Sequence, residues 1–248
     1  FTEEQEMLRK NIRKFVDKYI KGEYARDLDE DPAKMFIDDD MWQKIKDLGI
    51  FAAAVPEEYG GMGSTIIDDI IIQEELARGS VAVAMAVGAT IGFGARAILF
   101  NGTEEQKRFF LPKIAEGELR FSMAVTEPDG GTDILGTLKT FGRPDGDNFI
   151  LNGQKIFITN AHKADYILTL VKTDKLAVKK AKSLSLFIVP VQNNPGITIR
   201  PIKKFTIKGA SACEVFFDDV KVPTANMMGE LHGGWYALTK TLNHERVG

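Results

Sequence analysis

Two short segments carry residues whose types and spacing could meet a flat, polar ligand. The first is Val125-Thr126-Glu127-Pro128-Asp129-Gly130-Gly131-Thr132-Asp133, where an apolar run breaks into glycines, hydroxyls and acids. A strand that opens into such a loop projects backbone N–H groups and hydroxyls toward a ligand. The same composition also makes an ordinary polar turn, and spacing alone leaves both readings standing. The second segment is Lys155-Ile156-Phe157-Ile158-Thr159-Asn160-Ala161. Phe157 and Thr159 are two residues apart and so share a strand face, an arrangement that supports a flat ring. Taken singly, Phe157 also reads as core and Thr159 as a strand-end hydroxyl.

Other chemistries find little support. No Gly-x-Gly-x-x-Gly loop follows a strand and no Gly-Lys-Ser/Thr ending is present, which argues against an ordinary dinucleotide-binding or P-loop enzyme. The single cysteine, Cys213, excludes an internal disulfide, and His162, His232 and His244 have no metal-site spacing, so no metal is expected. Among 248 residues the formal net charge is −3, which disfavours nucleic acid or an anionic membrane as the main partner. The apolar stretch ending at Phe100 is interrupted by Gly88, Gly92, Gly94 and Arg96, so neither a membrane span nor a signal core is expected.

The elements that must position these segments follow from periodicity. Thr2 with Gln5 reads as a capping box ahead of Leu8, Ile12, Phe15 and Tyr19 on one helical face. Asp40 is expected to cap a helix bearing Trp42, Ile45 and Leu48 that stops at Gly49, and Asp68 to Arg78 regains helical period. A helix rich in small residues is expected from about Val81 to Phe100, and Thr103 with Gln106 caps another that Gly117 closes. Near residue 118 the pattern changes to strands: Arg120–Thr126, Leu138–Gly142, Asn148–Thr159, Asp165–Thr173, Leu184–Val191, Ile197–Ile202 and Cys213–Val220. Short turns between them predict a mostly antiparallel barrel or sandwich. Lys175 to Lys182 reads as a solvated loop. After Pro223 a helical stripe of Trp235, Leu238, Leu242 and Val247 runs to the last residue without a stop, which predicts a truncated chain.

Taken together, several segments resemble the acyl-CoA dehydrogenase family: Met123 through Asp133, Asn152-Gly153-Gln154-Lys155-Ile156-Phe157-Ile158-Thr159-Asn160, Val55-Pro56-Glu57-Glu58-Tyr59-Gly60-Gly61, Glu74-Glu75-Leu76-Ala77-Arg78, and Phe217-Asp218-Asp219-Val220-Lys221-Val222-Pro223. They occur in order across essentially the whole chain. The resemblance implies an α+β multidomain chain, with an all-α N-terminal domain (1–117), an antiparallel β-barrel or sandwich middle domain (118–225) and the opening helix of a C-terminal helical bundle (226–248). It further implies FAD as cofactor, an acyl-CoA substrate, an electron-transferring flavoprotein as acceptor, a homodimer or homotetramer, and a bacterial cytoplasmic or mitochondrial matrix location. By that likeness Val125, Thr126, Gly131, Thr132, Phe157 and Thr159 bind the flavin, and Thr132 also touches the thioester. Thr132, Phe157 and Ala161-His162 stand where Ser, Trp and Gly-Gly are commoner; His162 reads as a surface loop position.

Desaturating an acyl thioester requires a carboxylate base, a hydride acceptor and donors for the developing enolate charge. Leu242-Asn243-His244-Glu245-Arg246 resembles the segment that carries the base in isovaleryl- and long-chain-type members, making Glu245 the candidate base. The competing reading makes Glu245 and Arg246 an inward charge network with the base elsewhere. Arg246 also suits the CoA phosphates. Ala84, Met85, Gly88 and Gly92 are candidate walls of an acyl pocket or, equally, small residues of a tight helix contact. An enoyl-CoA reductase, an oxygen-using flavoenzyme of this fold and a non-catalytic binding module are the alternatives.

Overall fold

The computed structural model describes residues 1–31 and 36–246, and for His244 and Glu245 the backbone only. Val247, expected on the last apolar stripe, lies outside the described residues.

Helices come first. α1 (Glu3–Tyr19) opens on the Thr2/Gln5 capping box and buries Ile12, Phe15 and Val16. α2 (Glu23–Glu30) follows, with Leu28 buried. α3 (Asp39–Asp47) is capped by Asp38, whose carboxylate accepts from Met41 N, rather than by Asp40. α4 (Ile50–Ala53) begins after Gly49, held at φ 75°. α5 (Ile66–Gly79) starts from a Thr65/Asp68 capping box. α6 (Val81–Ala89) runs through a π-helical segment, Thr90–Arg96, into α7 (Ala97–Asn101), and α8 (Glu104–Ala115) starts at the Thr103/Gln106 box. α1 is locked to α5 by Glu75, a buried carboxylate that accepts from Arg13 Nε at 2.9 Å and Arg78 Nε at 3.2 Å.

The small-residue helix forms over the span read from the sequence, and the glycines and Arg96 punctuate its apolar run without breaking it. Val81–Asn101 is continuous over 21 residues with mean hydropathy 1.7, long and apolar enough to cross a membrane. Its apolar stretch is 67% buried within this fold, packing against α5, α8 and the sheet, so its hydropathy is accounted for by core contacts.

The strands are β1 (Phe121–Ala124), β2 (Phe141–Asp145), β3 (Asn148–Thr159), β4 (Tyr166–Lys172), β5 (Leu184–Pro190), β6 (Ile197–Ile202), β7 (Ala212–Pro223) and the short β8 (Met227–Met228). A helical turn, α9 (Ile134–Thr137), precedes β2, and α10 (Gly234–Glu245) follows β8. They form one eight-stranded sheet in the order β6-β7-β3-β2-β4-β5-β8, with β1 on β4. Most pairings are antiparallel as expected. β1 and β2 instead both lie parallel to β4, β1 along Tyr166–Thr169 and β2 at Lys172.

Period-two alternation divides the core between the two faces of the sheet. Leu168, Leu170, Leu184, Leu186 and Ile188 share one cluster with the buried residues of α1 to α8, while Ile167, Val171, Phe187 and Val189 join β3 and β7 residues in a second. The helices and one sheet face therefore share a continuous core. α10 closes on α7, where Asn101 Nδ2 donates to Thr241 Oγ1 at 3.1 Å and Ala237 O at 3.3 Å.

Candidate functional site

The loop after β1 is built around a buried ion pair. Lys155, fully buried on β3, donates from Nζ to Glu127 Oε1 at 2.9 Å and to Val125 O at 3.0 Å. Glu127 accepts as well from the backbone N–H groups of Lys139 at 2.6 Å and Thr140 at 2.9 Å. Burial pushes the Glu127 carboxyl up, but the Lys155 charge and the Thr140 and Lys139 hydrogen bonds outweigh it and leave it below the ordinary value. Burial prevails at Lys155, whose ammonium falls to about 8 despite Glu127. Ile156 N donates to Thr126 O at 2.9 Å, so Val125 and Thr126 lie directly beside β3. The two sequence segments that carried the chemistry are thus brought side by side.

Beyond Glu127 the chain turns tightly, with reciprocal hydrogen bonds between Glu127 and Gly130. A Cβ at Gly130 would sit 1.7 Å from Thr137 Oγ1, so only glycine permits this approach. Thr137 Oγ1 is itself fixed by donating to Asp133 O at 2.6 Å. Gly131, Thr132 and Asp133 are exposed at the loop's outer edge.

β3 departs from ideal alternation at the expected site. Between Lys155 and Ile158 the register with β7 slips by one residue, and Phe157 takes a left-handed backbone with φ 63°. The bulge, rather than strand alternation, sets its direction. Phe157 is 63% exposed, a large aromatic held at the surface at some backbone cost. The core reading of Phe157 is thereby excluded. Thr159, half-buried at the strand's end, has its carbonyl tied by Ser122 Oγ at 2.7 Å.

Thr159 also lines a cavity of about 280 Å³. The same cavity is lined by the face of α6 and the π segment bearing Ala84, Met85, Gly88 and Gly92, the four positions expected to line an acyl pocket. At Gly92 the space is open: a Cβ there would meet nothing within 4 Å. The tight-packing reading therefore fails at Gly92. Sequence reasoning missed the third wall, where α5 presents Ile66, Asp69 and Gln73 at helical spacing. Arg96, from the π segment, donates to Asp69 Oδ2 from Nε at 3.0 Å and Nη2 at 2.7 Å, both partners buried.

Not every candidate converges. Arg246 lies past the end of α10 with its side chain exposed, and it is not among the cavity walls. Glu245 is the last residue of α10, and its side chain lies outside the described residues. His162 is a correction: it is half-buried rather than a surface residue, with Nδ1 3.6 Å from Cys213 Sγ and its ring edge-on to Phe36. Burial lowers its pKa.

Comparison with known proteins matches residues 2–118 to the acyl-CoA dehydrogenase N-terminal domain and 122–220 to the acyl-CoA dehydrogenase middle domain. Mitochondrial isovaleryl-CoA dehydrogenase of Pongo abelii is 33% identical over 99% of this chain and 57% of its own. The butyryl-CoA dehydrogenase structure from Megasphaera elsdenii superposes with a TM-score of 0.89 at 33% identity, covering 99% of this chain and 63% of that one. A structure described as the electron transferring flavoprotein of Acidaminococcus fermentans gives 0.90 at 32% identity, again over 99% and 63%. The chain thus spans about three fifths of the length of these relatives.

Proposed function

The chain belongs to the acyl-CoA dehydrogenase family, and on that premise we propose that it supplies the flavin-binding and acyl-binding walls of an FAD-dependent enzyme that desaturates an acyl-CoA thioester between its α and β carbons. The observation that carries this reading is the meeting of Thr159 with the small-residue helix across one cavity, at the end of the strand that displays Phe157.

The residues fit a flavin. An exposed aromatic fixed by a bulge offers its face to a ring, and the adjoining loop offers Val125, Thr126, Gly131 and Thr132. When bound, the flavin supplies the hydride acceptor. The Thr159 hydroxyl orients it, the Lys155–Glu127 pair holds the loop, and Met85, Ile91 and Phe93 with the small residues keep water from the acyl chain. Glu245 takes the proton from the α carbon. Its helix, α10, packs on the π segment whose residues line the cavity, which supports this role. Arg246 takes the CoA phosphates in this reading, a role that its exposed guanidinium supports. An electron-transferring flavoprotein receives the electrons, and the working assembly is a homodimer or homotetramer.

Anaerobic titration of the full-length, FAD-loaded protein with a panel of acyl-CoA thioesters tests the reading by flavin absorbance. One thioester class is expected to bleach the flavin in the wild type, and Glu245→Gln to abolish bleaching while binding persists. Bleaching that survives in Glu245→Gln moves the base elsewhere; no bleaching by any thioester overturns the desaturase reading.

Two further outcomes are specific to the cavity. Thr159→Val keeps the side-chain shape and removes one hydroxyl, so FAD affinity should weaken about tenfold, as expected for one hydrogen bond; unchanged flavin retention removes Thr159 from the site. Gly92→Phe should grow into open space. The kcat/KM loss should then increase with acyl length, reaching about 100-fold for the longest chain accepted; a loss independent of length would place the acyl group elsewhere.

A further inference from the structure

The cavity is apolar on the α6 side but not on the α5 side, where Asp69 and Gln73 stand one helical turn apart. Asp69 is already satisfied. Arg96 gives it two N–H bonds, Ser64 Oγ donates to its second oxygen at 3.3 Å, and Arg96 Nη2 also donates to Ser64 O. Gln73 differs. Among the described residues its amide makes no hydrogen bond, yet it is held against Gly88, where a Cβ would lie 3.1 to 3.3 Å from Oε1, Nε2 and Cδ. The glycine at 88 makes room for this amide in the wall. An acyl chain made only of methylenes would cover the amide, strip its water and return no hydrogen bond.

We infer that Gln73 is a specificity residue for acyl groups bearing a neutral oxygen, a hydroxyl or a carbonyl, at the part of the chain that reaches α5. This deepens the function proposed above and rests on it. The oxygen can accept from the Gln73 amide N–H, and a hydroxyl can in addition donate to Oε1. An anionic end group is disfavoured because the neighbouring guanidinium of Arg96 is committed to Asp69, itself an acidic residue of the cavity lining. A cationic end group gains little from Asp69 for the same reason. Neutral polarity is what the wall recognises.

The test uses pairs of acyl-CoA thioesters of equal length, one member carrying a hydroxyl or oxo group toward its distal end and the other a methylene. They are offered to the full-length, FAD-loaded protein and to Gln73→Met, which keeps an unbranched side chain of similar length. Wild type should favour the oxygenated member by about 10- to 100-fold in kcat/KM, and Gln73→Met should bring the pair within about threefold. Gln73→Leu provides a second apolar variant if the first is poorly folded. Preference for the methylene member in wild type, or a preference that Gln73→Met leaves intact, overturns the inference. Calorimetric binding of the same pairs separates the two levels. Oxygen-selective binding that Gln73→Met abolishes, without flavin bleaching, sinks desaturation and keeps the recognition; equal binding of both members sinks the recognition alone, and no binding of either sinks both.

Discussion

Lys155→Met is expected to cost the fold about 3 kcal/mol, the usual consequence of leaving one partner of a buried ion pair behind. Met fits the space of the lysine stem, but Glu127 then stays buried with only the Lys139 and Thr140 N–H groups, and Val125 O loses its donor. Denaturant midpoints read this cost, and FAD affinity should fall with it because Val125 and Thr126 lose their anchor. Glu127→Gln should show a comparable loss. The double variant should lose less than the sum of the two, since each single change already removes the same contact. Additive losses would show that the pair does not act as a unit.

The same pair gives a pH signature of defined sign. Burial moves the Lys155 ammonium from 10.5 to about 8, so between those values the unfolded chain binds the proton more tightly than the folded one. Stability contributed at this site therefore rises as pH increases from about 8 toward 10.5, and Lys155→Met should remove that rise. Glu127 acts in the opposite range. Its carboxyl is held below the ordinary 4.5, so its contribution is present above that value and is lost as pH falls through the folded-state pKa.

Gly130→Ala should be nearly as damaging, at about 2 kcal/mol, with FAD affinity lowered at least about tenfold. The added methyl group would overlap Thr137 Oγ1 at 1.7 Å and Thr137 Cβ at 2.5 Å. Rotating Thr137 relieves only the first overlap and breaks its bond to Asp133 O. The loop must move, taking Gly131 and Thr132 with it. Combining the change with Thr137→Ala should recover part of both losses; hydrogen exchange across residues 126–138 would show whether the disturbance is confined to the loop, as this account requires.

Features set by neighbouring residues were legible in the sequence. The capping boxes at Thr2/Gln5 and Thr103/Gln106 form as read, and Asn148–Thr159 and Ile197–Ile202 have the expected bounds, because caps and period-two alternation are local signals. α2 was missed: its N-terminus, at Gly22, has no side-chain cap, and only Leu28 is buried. The parallel pairing of β1 and β2 with β4 is set by distant chain and leaves no local pattern. In the site, the small residues announced the open helix face, but no local pattern marked Asp69 and Gln73 among the residues of α5. Their inward placement could be found only through Arg96, a lone charge in an apolar stretch that needs a buried counterion. Phe157 was read as an aromatic facing a ligand, whereas its left-handed bulge came from pairing with β7. Lys155 and Glu127 lay within the recognised motifs without a role, because only their burial reveals the pair.

The π segment at Thr90–Arg96 sets a phase relation along the long helix. Wider turns change the angular bookkeeping, so α7 does not continue the face that α6 would project by simple extrapolation. Ala84, Met85 and Gly88 can look across the cavity while Ala97 and Ile98 turn into the core and Asn101 meets α10. Neither half has to compromise its orientation for the other. α10 rests on α7 and on the π segment itself, so the stretch that lines the cavity with Ile91, Gly92 and Phe93 also carries part of the dock, and a substitution there bears on both.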